Sequence, residues 1–241
     1  MGPCAIDVHQ DELESSCEDR SGSWRPIVLP FTPEQFLSLF STYNDAIWPA
    51  QVIAYLLGGI AVVALFGKSE RSDRIVAAVL ATMWAWTGFA YHLAFFTTIN
   101  KAAYVFGALF AIQAFALANV GVFHHRIFFG LRPSPTAWVG IFFVVYAAML
   151  YPLVGMVAGH LYPELPMFGV TPCPVTIFTF GMLLLTQYPP PALLLVIPGL
   201  WSLIGGSAAI LLSVPQDWPL LVSGIVTVGL NAIRSREEMA A

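Results

Sequence analysis

Cys173 is the one cysteine outside the polar N-terminal stretch, and it stands between two prolines in Thr171-Pro-Cys-Pro174. A helix N-terminus favours a thiolate over a thiol. Pro174 suits the first position of a helix, which predicts Cys173 as its N-cap. A thiolate with imidazole and thioether partners suits a soft metal such as copper(I), or zinc without the thioether. The candidate ligands are Cys173, His92, His160 and Met167. The plainer alternative is a buried small residue beside a helix start.

The second candidate is the run Trp84-Ala-Trp-Thr-Gly-Phe-Ala-Tyr-His92. Trp84, Gly88 and His92 recur every four residues and share one face of a helix. Gly88 would leave room beside the imidazole. An ionisable residue inside an apolar helix is a functional hypothesis by default. Gln113 and Trp201 could line the same interior, which gives a ligand-binding set of His92, Trp84, Gln113 and Trp201. Hydrogen bonding between helices explains the polar members equally well.

The elements that position these residues follow from composition. The 241 residues are 58% hydrophobic and 10% charged, where soluble domains carry about 25% charge. This composition predicts an integral membrane protein whose main partner is the lipid bilayer. A membrane span needs about 20 apolar residues. Runs over 47–66, 75–96, 102–123, 137–158 and 192–212 qualify. Shorter runs over 175–186 and 218–233 bring the expected fold to an all-α bundle of seven transmembrane helices over 46–233.

Charge sets the expected orientation. Lys68, Arg71, Arg74, Arg126, Arg132, Arg234 and Arg236 fall at the ends that seven spans put on the cytoplasmic side. The N-terminus is then outside and the C-terminal tail, 234–241, cytoplasmic. His92, His160, Cys173, Glu164 and Asp217 converge near the outer face. Residues 1–45 hold eight acidic residues against two arginines. Residues 1–26 read as a disordered acidic tail with incidental Cys4 and Cys17. They show neither a signal-peptide nor a myristoylation pattern. Residues 27–45 read as an interfacial amphipathic helix opened by a Thr32–Gln35 capping box and a Phe31–Phe36 staple. A cap packed on the helix ends is the alternative.

Several chemistries are excluded. The two lysines, Lys68 and Lys101, lie in loops, so no retinal-type Schiff base forms. No basic patch suggests nucleic acid. No Gly-x-Ser-x-Gly or His-Glu-x-x-His appears, and no matched pair of intramembrane histidines suggests a bis-histidine haem.

The Leu29-Pro-Phe-Thr-Pro-Glu-Gln-Phe36 entry, the Tyr91–Ala103 run, Phe106–Gln113 and Gly169–Thr176 together resemble a family of uncharacterised bacterial multi-spanning membrane proteins, some labelled permease. The resemblance covers about 27–233. It implies a bacterial inner-membrane location and brings no catalytic residues. The function expected is permease-like or metal- and small-ligand-handling, with a polar site near the outer face. A structural or sensory subunit with a homo-oligomeric or other membrane partner is the alternative, and a redox subunit a third.

Overall fold

The computed structural model describes residues 30–240. The tail predicted over 1–26, with Cys4 and Cys17, lies outside the described residues. The rest is helical: α1 (Pro33–Ile47), α2 (Ala50–Ala64), α3 (Glu70–Thr98), α4 (Ala103–Phe123), α5 (Pro135–Val157), α6 (Pro172–Leu184), α7 (Leu193–Leu211) and α8 (Trp218–Ala240). A helix stands at each of the seven apolar runs. Four of them, α3, α4, α5 and α7, are long and apolar enough to cross a membrane. The pair α1 and α2, bent by 83°, would add a fifth as one broken span. α8 runs on to Ala240 instead of ending at 233.

Local signals account for the helix starts. The capping box at Thr32 forms in both directions, with Gln35 N–H donating to Thr32 Oγ1 and Thr32 N–H to Gln35 Oε1. Phe31 stacks on Phe36 at 5.7 Å. Ser69 and Ser134 cap α3 and α5 through their hydroxyls. Apolar side chains such as Leu56, Val63, Phe115 and Trp138 face outward. A surface of that kind suits hydrocarbon better than water.

The centre of the bundle is α6. All thirteen of its residues are buried, against α5, α8, α7 and α3. At 1.5 Å per residue it is about 20 Å long, well short of a hydrocarbon core of about 30 Å. Its buried flank admits neighbours at backbone distance. A Cβ on Gly181 would meet the Gly140 carbonyl oxygen at 2.8 Å and Val144 N at 2.9 Å, and one on Gly140 would meet the Gly181 carbonyl at 2.9 Å. Glycine is needed here for contact between α5 and α6. The Gly155-x-x-x-Gly159 spacing acts differently. Gly155 abuts Leu165, and Gly159, at φ +91°, ends α5 in the left-handed region.

Three of the helices contain π turns: Thr87–Phe95 in α3, Ala118–Phe123 in α4 and Tyr146–Leu150 in α5. Each widens the helix and shifts which side chains share a face. Gly181→Val is expected to destabilise the bundle by about 2–3 kcal/mol or prevent its assembly, because backbone atoms of α5 would have to move. Thermal melting in detergent checks it; a melting temperature equal to wild type would sink the close-contact account.

Candidate functional site

α6 begins two residues earlier than its composition predicts. Thr171 is the N-cap, Pro172 takes the first helical position, and Cys173 and Pro174 follow in the first turn. The first N–H groups of a helix have no partner inside it. Two of the first three are absent here because the residues are proline. Val175 N–H, the next, already reaches the Thr171 carbonyl at 3.3 Å. The Pro-Cys-Pro pattern thus removes donors that a buried helix end could not satisfy.

That end of α6 meets a buried carboxylate. The turn Pro215–Asp217 leads into α8, and Asp217 is 3% exposed. The Tyr151 hydroxyl donates to Asp217 Oδ1. The Cys173 thiol adjoins both this carboxylate and the Trp201 indole. Burial pushes the Asp217 carboxyl up from the ordinary range to about 6, against the opposing pull of Tyr151 and Cys173. The cluster continues outward: the Tyr146 hydroxyl donates to the Gln216 carbonyl at 2.9 Å, and the Gln216 side-chain amide lies 3.1 Å from Nδ1 of the half-buried His160.

Inward, Trp201 packs edge-on to His92 with ring centroids 5.1 Å apart. Phe110 lies 4.6 Å and Phe106 5.8 Å from the same imidazole. His92 is 0% exposed. Neither of its ring nitrogens has a hydrogen-bond partner, and Trp201 Nε1 and Gln216 Oε1 also lack one. Buried polar atoms are nearly always paired, so this concentration is unusual.

The structure brings His92, Trp201 and Cys173 into one buried cluster, with His160 at its outer edge. Trp84 and Gln113 serve elsewhere. Trp84 Nε1 donates to Thr179 Oγ1 at 2.9 Å, pinning α3 to α6. Phe110 separates it from the imidazole, 4.3 Å from Trp84 on one side. Gln113 Nε2 donates to the Leu194 carbonyl at 3.0 Å. Pro198 has no N–H to reach that carbonyl four residues back, so Gln113 repairs the break inside α7. Gly88 leaves no space for the imidazole: a Cβ there would meet the Gly107 carbonyl at 3.1 Å, where α4 crosses α3.

The metal set is not gathered. Among the described residues no three His, Cys, Asp or Glu side chains come together as a metal-holding group. Met167 lies in the loop before α6, where its carbonyl accepts from the Thr171 hydroxyl. The thiol's neighbour is a carboxylate, the partner of a proton donor rather than of a second soft ligand.

Tyr151, Tyr146 and Asp217 complete the site, and sequence reasoning did not single out the two tyrosines. Five residues apart, they would diverge by about 140° on an α-helix. The π turn between them aims both at the Pro215–Asp217 turn. The available signal was Asp217 itself, a lone acid between two long apolar runs.

α1 closes this end. Phe40 stacks on Tyr91 at 5.6 Å. The Tyr43 hydroxyl donates to the Val170 carbonyl at 2.7 Å, and Asn44 Nδ2 to the carbonyls of Pro163 and Leu165. The apolar side of α1 thus covers the π turn of α3 and the loop before α6.

A family model matches residues 33–241, from the first residue of α1 onward. The chain belongs to DUF6064, a family of unknown function. Membership agrees with the resemblance to an uncharacterised family over most of the chain and assigns no activity. No curated protein and no solved structure matches the chain.

The Asp217 carboxyl gives a pH signature. Its folded-state pKa is raised, so the folded state holds the proton longer than the unfolded chain does. The stability it contributes is present in acid and is lost as pH rises from about 4 through about 6. Melting curves of wild type should therefore fall across that window. Asp217→Asn should flatten this part and melt higher at pH 7, by an amount on the order of 2–3 kcal/mol. Parallel wild-type and Asp217→Asn profiles would exclude the assignment.

Proposed function

We propose that the protein is an integral membrane protein that binds a small molecule in the closed site between α3, α4, α6 and α7, in the manner of a permease. The observation that carries this reading is His92: a fully buried imidazole, unpaired at both nitrogens, walled by Phe106, Phe110 and Trp201. Leaving such a group unpaired costs about 1–3 kcal/mol. A bound molecule would recover that cost by pairing with the imidazole and the Trp201 N–H. The aromatic walls favour a compact, mostly apolar organic molecule with one or two hydrogen-bonding atoms.

The short α6 supports the same reading. A helix that starts below the surface, after a non-helical segment, is how transporters expose a site near mid-depth. Asp217 at the α6 N-terminus supplies a group whose protonation could accompany ligand entry. α1, latched through Tyr43 and Asn44, would have to lift for exchange.

In the full reading α2 to α8 are seven spans in a bacterial inner membrane, with α2, α6 and α8 completed by neighbours or by local thinning. The cations at the starts of α3 and α5 and near the end of α8 support a cytoplasmic C-terminus. A C-terminal green fluorescent fusion should fluoresce, and an alkaline phosphatase fusion there should be inactive. An active C-terminal phosphatase would rule out the cytoplasmic C-terminus.

His92→Phe separates binding from packing. Phenylalanine keeps the aromatic shape and removes the unpaired nitrogens. The variant should be more stable than wild type by about 1–3 kcal/mol, while a small organic molecule detected by mass spectrometry in purified wild type should be missing from it. A less stable variant, with no molecule in either sample, would return His92 to a packing role.

A further inference from the structure

The opposite end of the bundle carries a second feature that the buried site does not use. By the alternation of helix directions, every described lysine and arginine except Lys101 lies at this end. Two adjoining cavities open there, of about 620 Å³ and about 410 Å³. The strap between α4 and α5 separates them. Gly130 N–H donates to the Leu185 carbonyl at 2.9 Å, and Gln187 N–H to the Phe128 carbonyl at 2.7 Å, which holds the strap to the segment after α6. Arg132 lines both cavities.

Three cations, Lys68, Arg132 and Arg234, and three carboxylates, Glu70, Asp73 and Glu237, line them, and two of the carboxylates already have other partners. In the larger cavity Glu70 is taken by Arg74 at 2.5 Å. Asp73 is taken by His125 Nε2 at 2.9 Å and by the Phe129 N–H at 2.8 Å. Lys68 lines this cavity and pairs with no carboxylate among the described residues, and neither does Arg132. In the smaller cavity Arg234 spends Nη2 on the Thr186 carbonyl at 2.7 Å, while its Nη1 is buried and unpartnered. Glu237 is the one carboxylate lining the smaller cavity. The N-terminal turns of α3 and α5 reach the walls at Ser69 and Ser134, and helix N-termini add to the attraction for negative charge.

We propose that these paired cavities bind a phosphate-bearing anion, with Arg132 between two subsites, Lys68 serving one and Arg234 the other. Guanidinium groups match phosphate oxygens bidentately, and an ammonium adds a point charge. The buried Arg234 Nη1 is the donor that a phosphate oxygen would satisfy. The two subsites fit a ligand with two anionic groups or with one phosphate and a polar extension. Basic pockets between helices at a cytoplasmic face take lipid headgroups in this way, and a soluble diphosphate offers the same chemistry.

The test uses the full chain in neutral detergent. Melting temperature is followed against micelles doped with phosphatidic acid, micelles doped with phosphatidylcholine, and inorganic pyrophosphate. Wild type should be stabilised saturably by phosphatidic acid or pyrophosphate and not by phosphatidylcholine. A response to the lipid alone assigns a headgroup; a response to pyrophosphate assigns a soluble diphosphate. Lys68→Gln and Arg132→Gln should each weaken half-saturation about fivefold or more. Lys68 makes no hydrogen bond among the described residues, so its substitution spares the fold. Arg236→Gln removes the same charge at the same end, outside both cavities, and should leave half-saturation unchanged. No stabilisation by either probe, or equal weakening by Arg236→Gln, overturns the proposal.

Discussion

The structure depends on burying a short helix completely. Every side of α6 faces another helix, so its apolar side chains need no adjustment, but its ends do. Backbone N–H groups at a helix start ordinarily turn to water or to a capping side chain. At Thr171 no side chain caps the helix, and the threonine hydroxyl donates backward to the Met167 carbonyl. The solution is subtractive: proline at two of the first three positions takes the N–H groups away. What remains of the partial positive charge faces the buried turn that carries Asp217.

The same problem of unpaired backbone recurs in α7 and is solved by addition. Pro198 inside the helix strands the Leu194 carbonyl, and Gln113 reaches across from α4 to pair it. A buried glutamine and an intrahelical proline form one unit. Against this thrift, the unpaired nitrogens of His92 and Trp201 stand out. A bundle that supplies a partner for one stranded carbonyl leaves an entire imidazole without one.

The π turns connect packing to the site. In α3 the turn over Thr87–Phe95 breaks the four-residue register that would keep Trp84 and His92 together. Trp84 then faces α6 and His92 faces α7. In α5 the turn over Tyr146–Leu150 does the reverse, bringing two tyrosines that α-helical spacing would separate to one turn of chain. These shifts cost hydrogen-bond quality, and they occur where the helix must present a particular side chain.

The sequence by itself determined the helical class, the places of the four helices long and apolar enough to cross a membrane, the capping box at Thr32 and the shortness of α6. Those features depend on hydropathy and neighbours a few residues apart, and they are legible locally. It also singled out Cys173, His92 and Trp201, because polar or reactive groups are rare in such a chain. Tertiary structure alone decided which of them meet. Trp84 and Gln113 have the right composition for a site, yet each is committed to a backbone or hydroxyl group on a distant helix. Tyr151 and Asp217 are 66 residues apart and joined by one hydrogen bond. A contact of that range depends on helix crossings and π-turn register, which a linear pattern does not encode at any one position.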